Sequence, residues 1–270
     1  MVSFPHCKIN LGLSIIAKRP DGFHDIETCF YPVPWTDILE IVPSQRTELD
    51  ITGLQIPGKP DENLCRKAFD LVKKDYDLPP VHMHLHKLLP TGAGLGGGSS
   101  DAAFALRAIN EIFQLHLSHG KLVEYASVLG SDCAFFIDDK PLIGTGRGEV
   151  LNSIRLSLRG KYLVVVKPNK DVSTADAYAN ATPHVPLRSV RNILENDPIE
   201  NWKNYLMNDF EESVFKKFPL ISELKHQLYH SGAAYASMSG SGSSVFGIFN
   251  KPIDLKSEFP EIIYWSGELE

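Results

Sequence analysis

Residues 90–100 read Pro90-Thr-Gly-Ala-Gly-Leu-Gly-Gly-Gly-Ser-Ser100 and run straight into DAAFALRAINEIFQL, residues 101–115. Glycine at 92, 94, 96, 97 and 98 lets the backbone take positive φ and approach a ligand closely. The spacing predicts a helix from near Ser99, with Ala102, Leu106, Ile109 and Phe113 along one buried stripe. Its unpaired N–H groups then face whatever lies above the loop. A plain turn needs one or two glycines, so this many mark an anion cradle. No lysine follows the glycines, which excludes the P-loop pattern G-x-x-x-x-G-K-[ST]. Gly92-x-Gly94-x-x-Gly97 matches the dinucleotide fingerprint, but that loop follows a continuous buried parallel strand near the start of its domain. Here the preceding VHMHLH, residues 81–86, alternates and comes after four earlier strand-like runs.

On the N-terminal side, KINLGLSIIAK (residues 8–18) alternates, with Ile9, Leu11, Leu13 and Ile15 on one strand face and Lys8, Asn10, Gly12 and Ser14 on the other. Pro20-Asp21-Gly22 signals a turn into HDIETCFYPV, residues 24–33, so a hairpin is predicted whose loop carries Phe23 and His24. WTDILEIVP (35–43) and TELDITGL (47–54) read as strands, and LCRKAFDLVKKDY (64–76) as a helix capped by Asp61 or Asn63. On the C-terminal side, LSHGKLVEYASVLG (117–130) predicts a helix stopped by Gly130 and followed by Ser131-Asp132-Cys133. Glycines 144, 146 and 148 mark a tight strand connection. Residues 153–160 turn polar before KYLVVVKP, residues 161–168, which places a soft boundary between domains at 1–155 and 156–270. Helices between 172 and 229, a hairpin through SMSGSGSSVFGIF (237–249) and a last strand at EIIYW (261–265) complete the pattern.

A chain of 270 residues with 43% hydrophobic and 22% charged residues has the composition of a folded protein with ample core. Its net charge of -6 argues against nucleic acid or anionic membrane as partner, so any anionic ligand is small. Cys7, Cys29, Cys65 and Cys133 show no C-x-x-C spacing, which fits a reducing compartment, and the N-terminus lacks a leader pattern; the expectation is a cytoplasmic protein. His82, His84 and His86 share one strand face, but successive members stand about 6.6–7 Å apart, which strains joint zinc ligation. They read as a polar strand face, and Cys133 reads as a small buried side chain rather than a nucleophile.

The run P-x-G-x-G-L-G-G-G-S-S opening a helix resembles the ATP loop of the GHMP small-molecule kinases. Lys8-Ile-Asn-Leu11, Asp21-Gly-Phe-His24, Gly130-Ser-Asp132 and Ser239-Gly-Ser-Gly-Ser243 are similar to further motifs of that family and occur in its order, from about residue 6 to residue 249. The resemblance implies an α+β, two-domain GHMP kinase fold: an N-terminal domain with a left-handed β-α-β unit, a ferredoxin-like C-terminal domain, and an active site in the cleft between them. It implies ATP on Pro90, Thr91, Gly92, Ala93, Gly94, Leu95, Gly96, Gly97, Gly98, Ser99 and Ser100, with Asn63, Leu64 and Lys87 nearby. Asp132 is the expected general base, oriented by Lys8, which also meets charge on the phosphoryl group.

Asp21-Gly-Phe-His24 narrows the likeness to members whose alcohol substrate carries a cytidine diphosphate and serves isoprenoid precursor synthesis by the non-mevalonate route. His24 then meets the base edge, Phe23 and Tyr178 sandwich the ring, and Asn10 and Thr174 reach the polyol or diphosphate. Position 23 is often tyrosine in the family; phenylalanine keeps the stacking face. Mg2+ is expected with ATP, and the metal-binding glutamate of some members has no clear counterpart, which leaves phosphates, water and Ser99 or Ser100 as ligands. Monomer and homodimer both stay open. A sister kinase acting on mevalonate or homoserine would share the loop but not Asp21-Gly-Phe-His24. A nucleotide-binding protein without phosphoryl transfer would leave Lys8 and Asp132 without a task.

Overall fold

The computed structural model describes residues 1–269. The strands are β1 (Val2–Ser3), β2 (His6–Lys18), β3 (His24–Thr36), β4 (Ile38–Pro43), β5 (Glu48–Gly53), β6 (Val81–Lys87), β7 (Leu142–Thr145), β8 (Val150–Ser153), β9 (Tyr162–Lys167), β10 (Tyr235–Met238), β11 (Val245–Phe249) and β12 (Ile263–Glu268). The helices are α1 (Leu64–Lys73), α2 (Gly97–Ile112), α3 (His119–Leu129), α4 (Phe135–Asp138), α5 (Thr174–Ala179), α6 (Val190–Asn196), α7 (Ile199–Tyr205), α8 (Glu211–Lys217) and α9 (Pro219–His230). They form two compact units, neither continuous in sequence. The first comprises Met1–Cys7, Trp35–Thr91 and Gly96–Asp139; the second comprises Lys8–Pro34, Gly92–Leu95 and the chain from Lys140 onward.

In the first unit a sheet of order β1-β4-β6-β5 pairs β5 with β6 in parallel, and α1 lies between them in sequence, making a β-α-β unit. Strict alternation in β6 buries Val81, Met83, Leu85 and Lys87, while His82, His84 and His86 stay half-buried on the other face. There His82 bonds Asp50, and the Thr52 hydroxyl lies 2.9 Å from ring nitrogens of both His84 and His86. Of the two cap candidates for α1, Asn63 is the one that acts: its Oδ1 accepts from the Cys65 N–H at 2.9 Å. The phosphate-loop helix starts at Gly97 rather than near Ser99, because Gly96 at φ +71° closes the loop and lets the first turn form at once. Its buried stripe is alanine-rich (Ala102, Ala103, Ala105, Ala108, with Leu106 and Ile109), which allows the close packing of α2 on α1. Phe113, expected on that stripe, is the C-cap and is only half-buried.

In the second unit, β2-β3-β7-β8 form one sheet and β10-β11-β9-β12 another, the latter antiparallel throughout. Both faces of β2 are covered, so the polar face is buried with the apolar one: Lys8 is 3% and Asn10 2% exposed. Gly146 and Gly148, at φ +67° and +107°, make the predicted tight connection between β7 and β8. His24, expected in the hairpin loop, is the first residue of β3, and Phe23 stays in the loop. A hydrophobic core of this unit packs Val164, Val166, Ala236, Met238 and Val245 against Phe210 and Val214 and the α9 residues Ile221, Leu224 and Leu228. Among the described residues no helix is long and apolar enough to cross a membrane, and no disulfide joins the four cysteines, all of which are buried.

Candidate active site

In the first unit, α-helix geometry leaves the N–H groups of Gly97, Gly98 and Ser99 without intrahelical acceptors, and the first closing bond runs from the Ser100 N–H to the Gly96 carbonyl at 2.9 Å. Gly98 is exposed on this turn, and Leu64 Cδ1 lies 4.0 Å from where a Gly98 Cβ would stand. Leu64 is thus brought to the start of α2, and Asn63 precedes it as the cap of α1. Asp132 sits half-buried in the turn between α3 and α4. The next residue, Cys133, is bonded by the Ser99 side chain, so the Asp132 turn lies against the first turn of α2. Burial pushes the Cys133 thiol up to about 11, against the pull of the Ser99 bond, which keeps it a neutral packing group.

Lys87, expected near the nucleotide, is buried and paired with two carboxylates. Its ammonium is 2% exposed and bonds the buried carboxylates of Asp37 and, at 2.7 Å, Asp101. The second Asp37 oxygen accepts from the Leu88 and Leu89 N–H groups at 2.6 and 2.8 Å. Two carboxylates share one ammonium, and burial raises Asp101 from 3.8 to about 7; Asp37 adds to the rise and Lys87 opposes it. For Lys87 burial pulls downward, but the two carboxylates outweigh it and hold the ammonium above its usual value. A carboxyl whose native pKa lies above its unfolded value binds extra protons in the folded state between pH about 4 and 7. Its stabilising contribution is complete below that window and is lost as pH rises through about 7. The stability advantage of the wild type over Asp101→Asn should therefore shrink between pH 5 and pH 8 in urea unfolding. A gap that widens over this range would contradict the assignment.

In the second unit, Lys8 Nζ donates to Asn10 Oδ1 at 2.6 Å and to the Gly94 carbonyl at 3.1 Å, while the Lys8 N–H donates to the Leu95 carbonyl at 3.0 Å. Asn10 Nδ2 donates to Thr28 Oγ1 at 3.0 Å, and the Asn10 N–H donates to Ser239 Oγ at 3.2 Å. Ser239 Oγ in turn donates to the Gly94 carbonyl at 2.8 Å. Strand β2, the 92–95 segment and the Ser239-Gly-Ser-Gly-Ser243 motif are therefore one hydrogen-bonded cluster. Asn208, which the sequence did not single out, holds that motif by donating to the Met238 and Gly240 carbonyls, both at 2.8 Å. Thr174 Oγ1 lies 3.0 Å from Ser241 Oγ, which joins the start of α5 to the same motif.

Two of the three aromatic residues are in direct contact. Tyr178 stacks directly on His24, centroids 4.9 Å apart at 16°, and meets Phe210 edge-on at 4.8 Å. Phe23 is 54% exposed, and the Arg147 guanidinium stands 5.0 Å from its ring centroid.

The residues so arranged point to a nucleotide-dependent phosphotransferase, and comparison with known proteins gives the class. The model for the GHMP kinases N terminal domain matches residues 63–140, and that for the GHMP kinases C terminal domain matches residues 191–261. The chain belongs to the GHMP kinase family and is an ATP-dependent small-molecule kinase. Among its relatives, 4-diphosphocytidyl-2-C-methyl-D-erythritol kinase of Bacteroides fragilis is 52% identical over 93% of this chain and 92% of its own length. The protein of that name from Parabacteroides distasonis is 47% identical over 100% of both chains. A crystal structure of 4-(cytidine 5'-diphospho)-2C-methyl-D-erythritol kinase superposes with a TM-score of 0.83 at 30% identity, covering 100% of this chain and 99% of the other. The mevalonate kinase of Methanococcus jannaschii, 14% identical with a TM-score of 0.71 over 100% of this chain and 98% of its own, shares the fold.

Proposed function

We propose that this kinase transfers the γ-phosphoryl group of ATP to the 2-hydroxyl of 4-diphosphocytidyl-2-C-methyl-D-erythritol, a step of isoprenoid precursor synthesis in the cytoplasm. The observation that carries the reading is the aromatic corner of Phe23, His24 and Tyr178 at the end of the first hairpin, in a chain that matches relatives of that name from end to end. Such a corner suits a flat heterocycle, since stacking needs a π-face and a base edge needs a hydrogen-bonding ring nitrogen. Because His24 lies on Tyr178, a cytosine held between Phe23 and Tyr178 has to open that stack.

The triphosphate lies on residues 90–100, where the first-turn N–H groups of α2 meet anionic oxygens without any reorganisation. Asp132 takes the proton of the attacked hydroxyl as the new P–O bond forms, and Lys8 meets the charge that develops on the transferred group. Asn10 and Thr174 orient the substrate, and Asn63 and Leu64 bound the nucleotide. Bound Mg2+ supplies charge neutralisation on the transferring phosphates. Hydroxyl oxygen is suitable chemistry for it, and Ser99 is half-buried whereas Ser100 Oγ is enclosed, so Ser99 would hold it together with phosphates and water.

Purified protein with ATP and Mg2+ should release ADP with 4-diphosphocytidyl-2-C-methyl-D-erythritol and not with mevalonate or homoserine. Release with one of the latter alone would overturn the substrate. Gly98→Ala locates the triphosphate independently. The nearest atom to the new methyl is 4.0 Å away and the site is helical, so stability should rise by up to about 1 kcal/mol. The methyl would stand over the first-turn N–H groups, and KM for ATP should rise roughly tenfold, a loss of about 1.4 kcal/mol. An unchanged KM would move the phosphates off this turn.

A further inference from the structure

The Asp37–Lys87–Asp101 cluster is buried on all sides, joins three separate stretches of chain, and has no part in the chemistry above. Asp37 precedes β4, Lys87 ends β6, and Asp101 lies just past the first turn of α2. Asp37 holds the Leu88 and Leu89 N–H groups, the last backbone donors before Pro90 and the loop. Lys87 holds Asp101, five residues after Gly96, the N-cap of α2, and its Nζ lies 3.5 Å from the Cβ position of Gly97. One ion cluster thus fastens the stem that enters the phosphate loop and the stem that leaves it. Five glycines between those stems make the loop entropically costly to order, so fixed stems remove much of that cost before a ligand arrives.

We propose that Lys87 is a positioning residue, which acts through Asp37 and Asp101 to hold both stems of the phosphate loop and does not touch the nucleotide. The proposal rests on the reading that ATP lies on residues 90–100. Reaching a phosphate would take the ammonium away from two buried carboxylates and leave both unpaired, an arrangement that proteins avoid. The cluster is also an expensive way merely to fill space. It buries two carboxylates against one cation, and Asp101 Oδ1 and Ser100 Oγ have no hydrogen-bond partner; burial, with Asp37 adding to it, holds Asp101 raised. Cys65 of α1, near enough to feel the charge of all three groups, is a thiol that burial holds neutral.

The test is ATP affinity by calorimetric titration without the alcohol, together with amide hydrogen exchange over residues 97–103 and KM for each substrate. Wild type, Asp101→Asn and Lys87→Met are compared. A positioning role predicts that Asp101→Asn, with the lysine intact, weakens ATP binding about tenfold and speeds exchange in 97–103, with KM for the alcohol changed less than about twofold. ATP binding unchanged or tighter in Asp101→Asn, with a loss confined to Lys87→Met, would establish direct contact and overturn the proposal. Unchanged binding in both variants would overturn it as well. If Asp101→Asn does not fold, Asp37→Asn, which likewise keeps the lysine and leaves it paired with Asp101, serves for the same comparison with the same outcomes. Failure of the functional reading looks different: the wild type itself would not bind ATP, while exchange in 97–103 would still respond to the substitutions.

Discussion

Asp132→Asn should lower kcat by about 10²–10⁴-fold, the range that one positioned general base contributes, while ATP affinity stays within about twofold. The amide has the size of the carboxylate and keeps an oxygen acceptor, so the turn between α3 and α4 can hold its shape; what is lost is the ability to take a proton. The contact between Ser99 and Cys133 places this turn against the first turn of α2, so a structural collapse here would also damage the phosphate site. Measuring ATP binding alongside turnover separates the two. Lost turnover with retained binding supports proton transfer, parallel losses would reduce Asp132 to a structural residue, and unchanged turnover would remove it from the mechanism.

Gly94→Ala should be the most damaging change of a single methyl group in the phosphate loop. Gly94 sits at φ +73°, where an L side chain is strained, and its Cβ would stand 1.9 Å from the Ser239 carbonyl oxygen and 3.2 Å from that of Gly242. Neither obstacle is a flexible side-chain end. Both are backbone, and Ser239 is held by its bonds to Asn10 and Gly94. Adding about 1–2 kcal/mol for the left-handed conformation to about 1–3 kcal/mol for overpacking gives a loss of about 2–5 kcal/mol. That is a large share of a typical folding free energy of about 5–15 kcal/mol. The Lys8 ammonium and Ser239 hydroxyl both donate to the Gly94 carbonyl, so activity should fall further than stability alone accounts for. Urea midpoints and turnover at a temperature where both proteins are folded check this, and a shift below about 1 kcal/mol would mean that the loop yields where the geometry says it cannot.

Local features of this fold were legible in the sequence because they depend on neighbours in the chain. The Asn63 cap, the Gly130 stop, the glycine connection from β7 to β8 and the strand alternation of residues 8–18 are of this kind. Even the inward direction of Lys87 was present as parity, since it shares a face with Val81, Met83 and Leu85. Its partners were not, because Asp37 lies 50 residues away and no local pattern selects one carboxylate among many. Asn208 was missed for the same reason: its work is to hold carbonyls 30 and 32 residues on. The stack of His24 on Tyr178 joins residues from two distant segments, so no local pattern in the sequence announces that contact. Long-range polar pairing is set by packing, and a single sequence does not display it.

The assembly of the two units from alternating stretches constrains how this protein can be cut, shortened or recombined. The chain passes from one unit to the other at 7/8, 34/35, 91/92, 95/96 and 139/140, with two of those passages within the phosphate loop. No single nick releases either unit, so limited proteolysis should leave nicked chains whose pieces stay associated until denatured. Nor can either unit be exchanged between family members by one crossover in the gene, because each donor would have to contribute several interleaved segments at once.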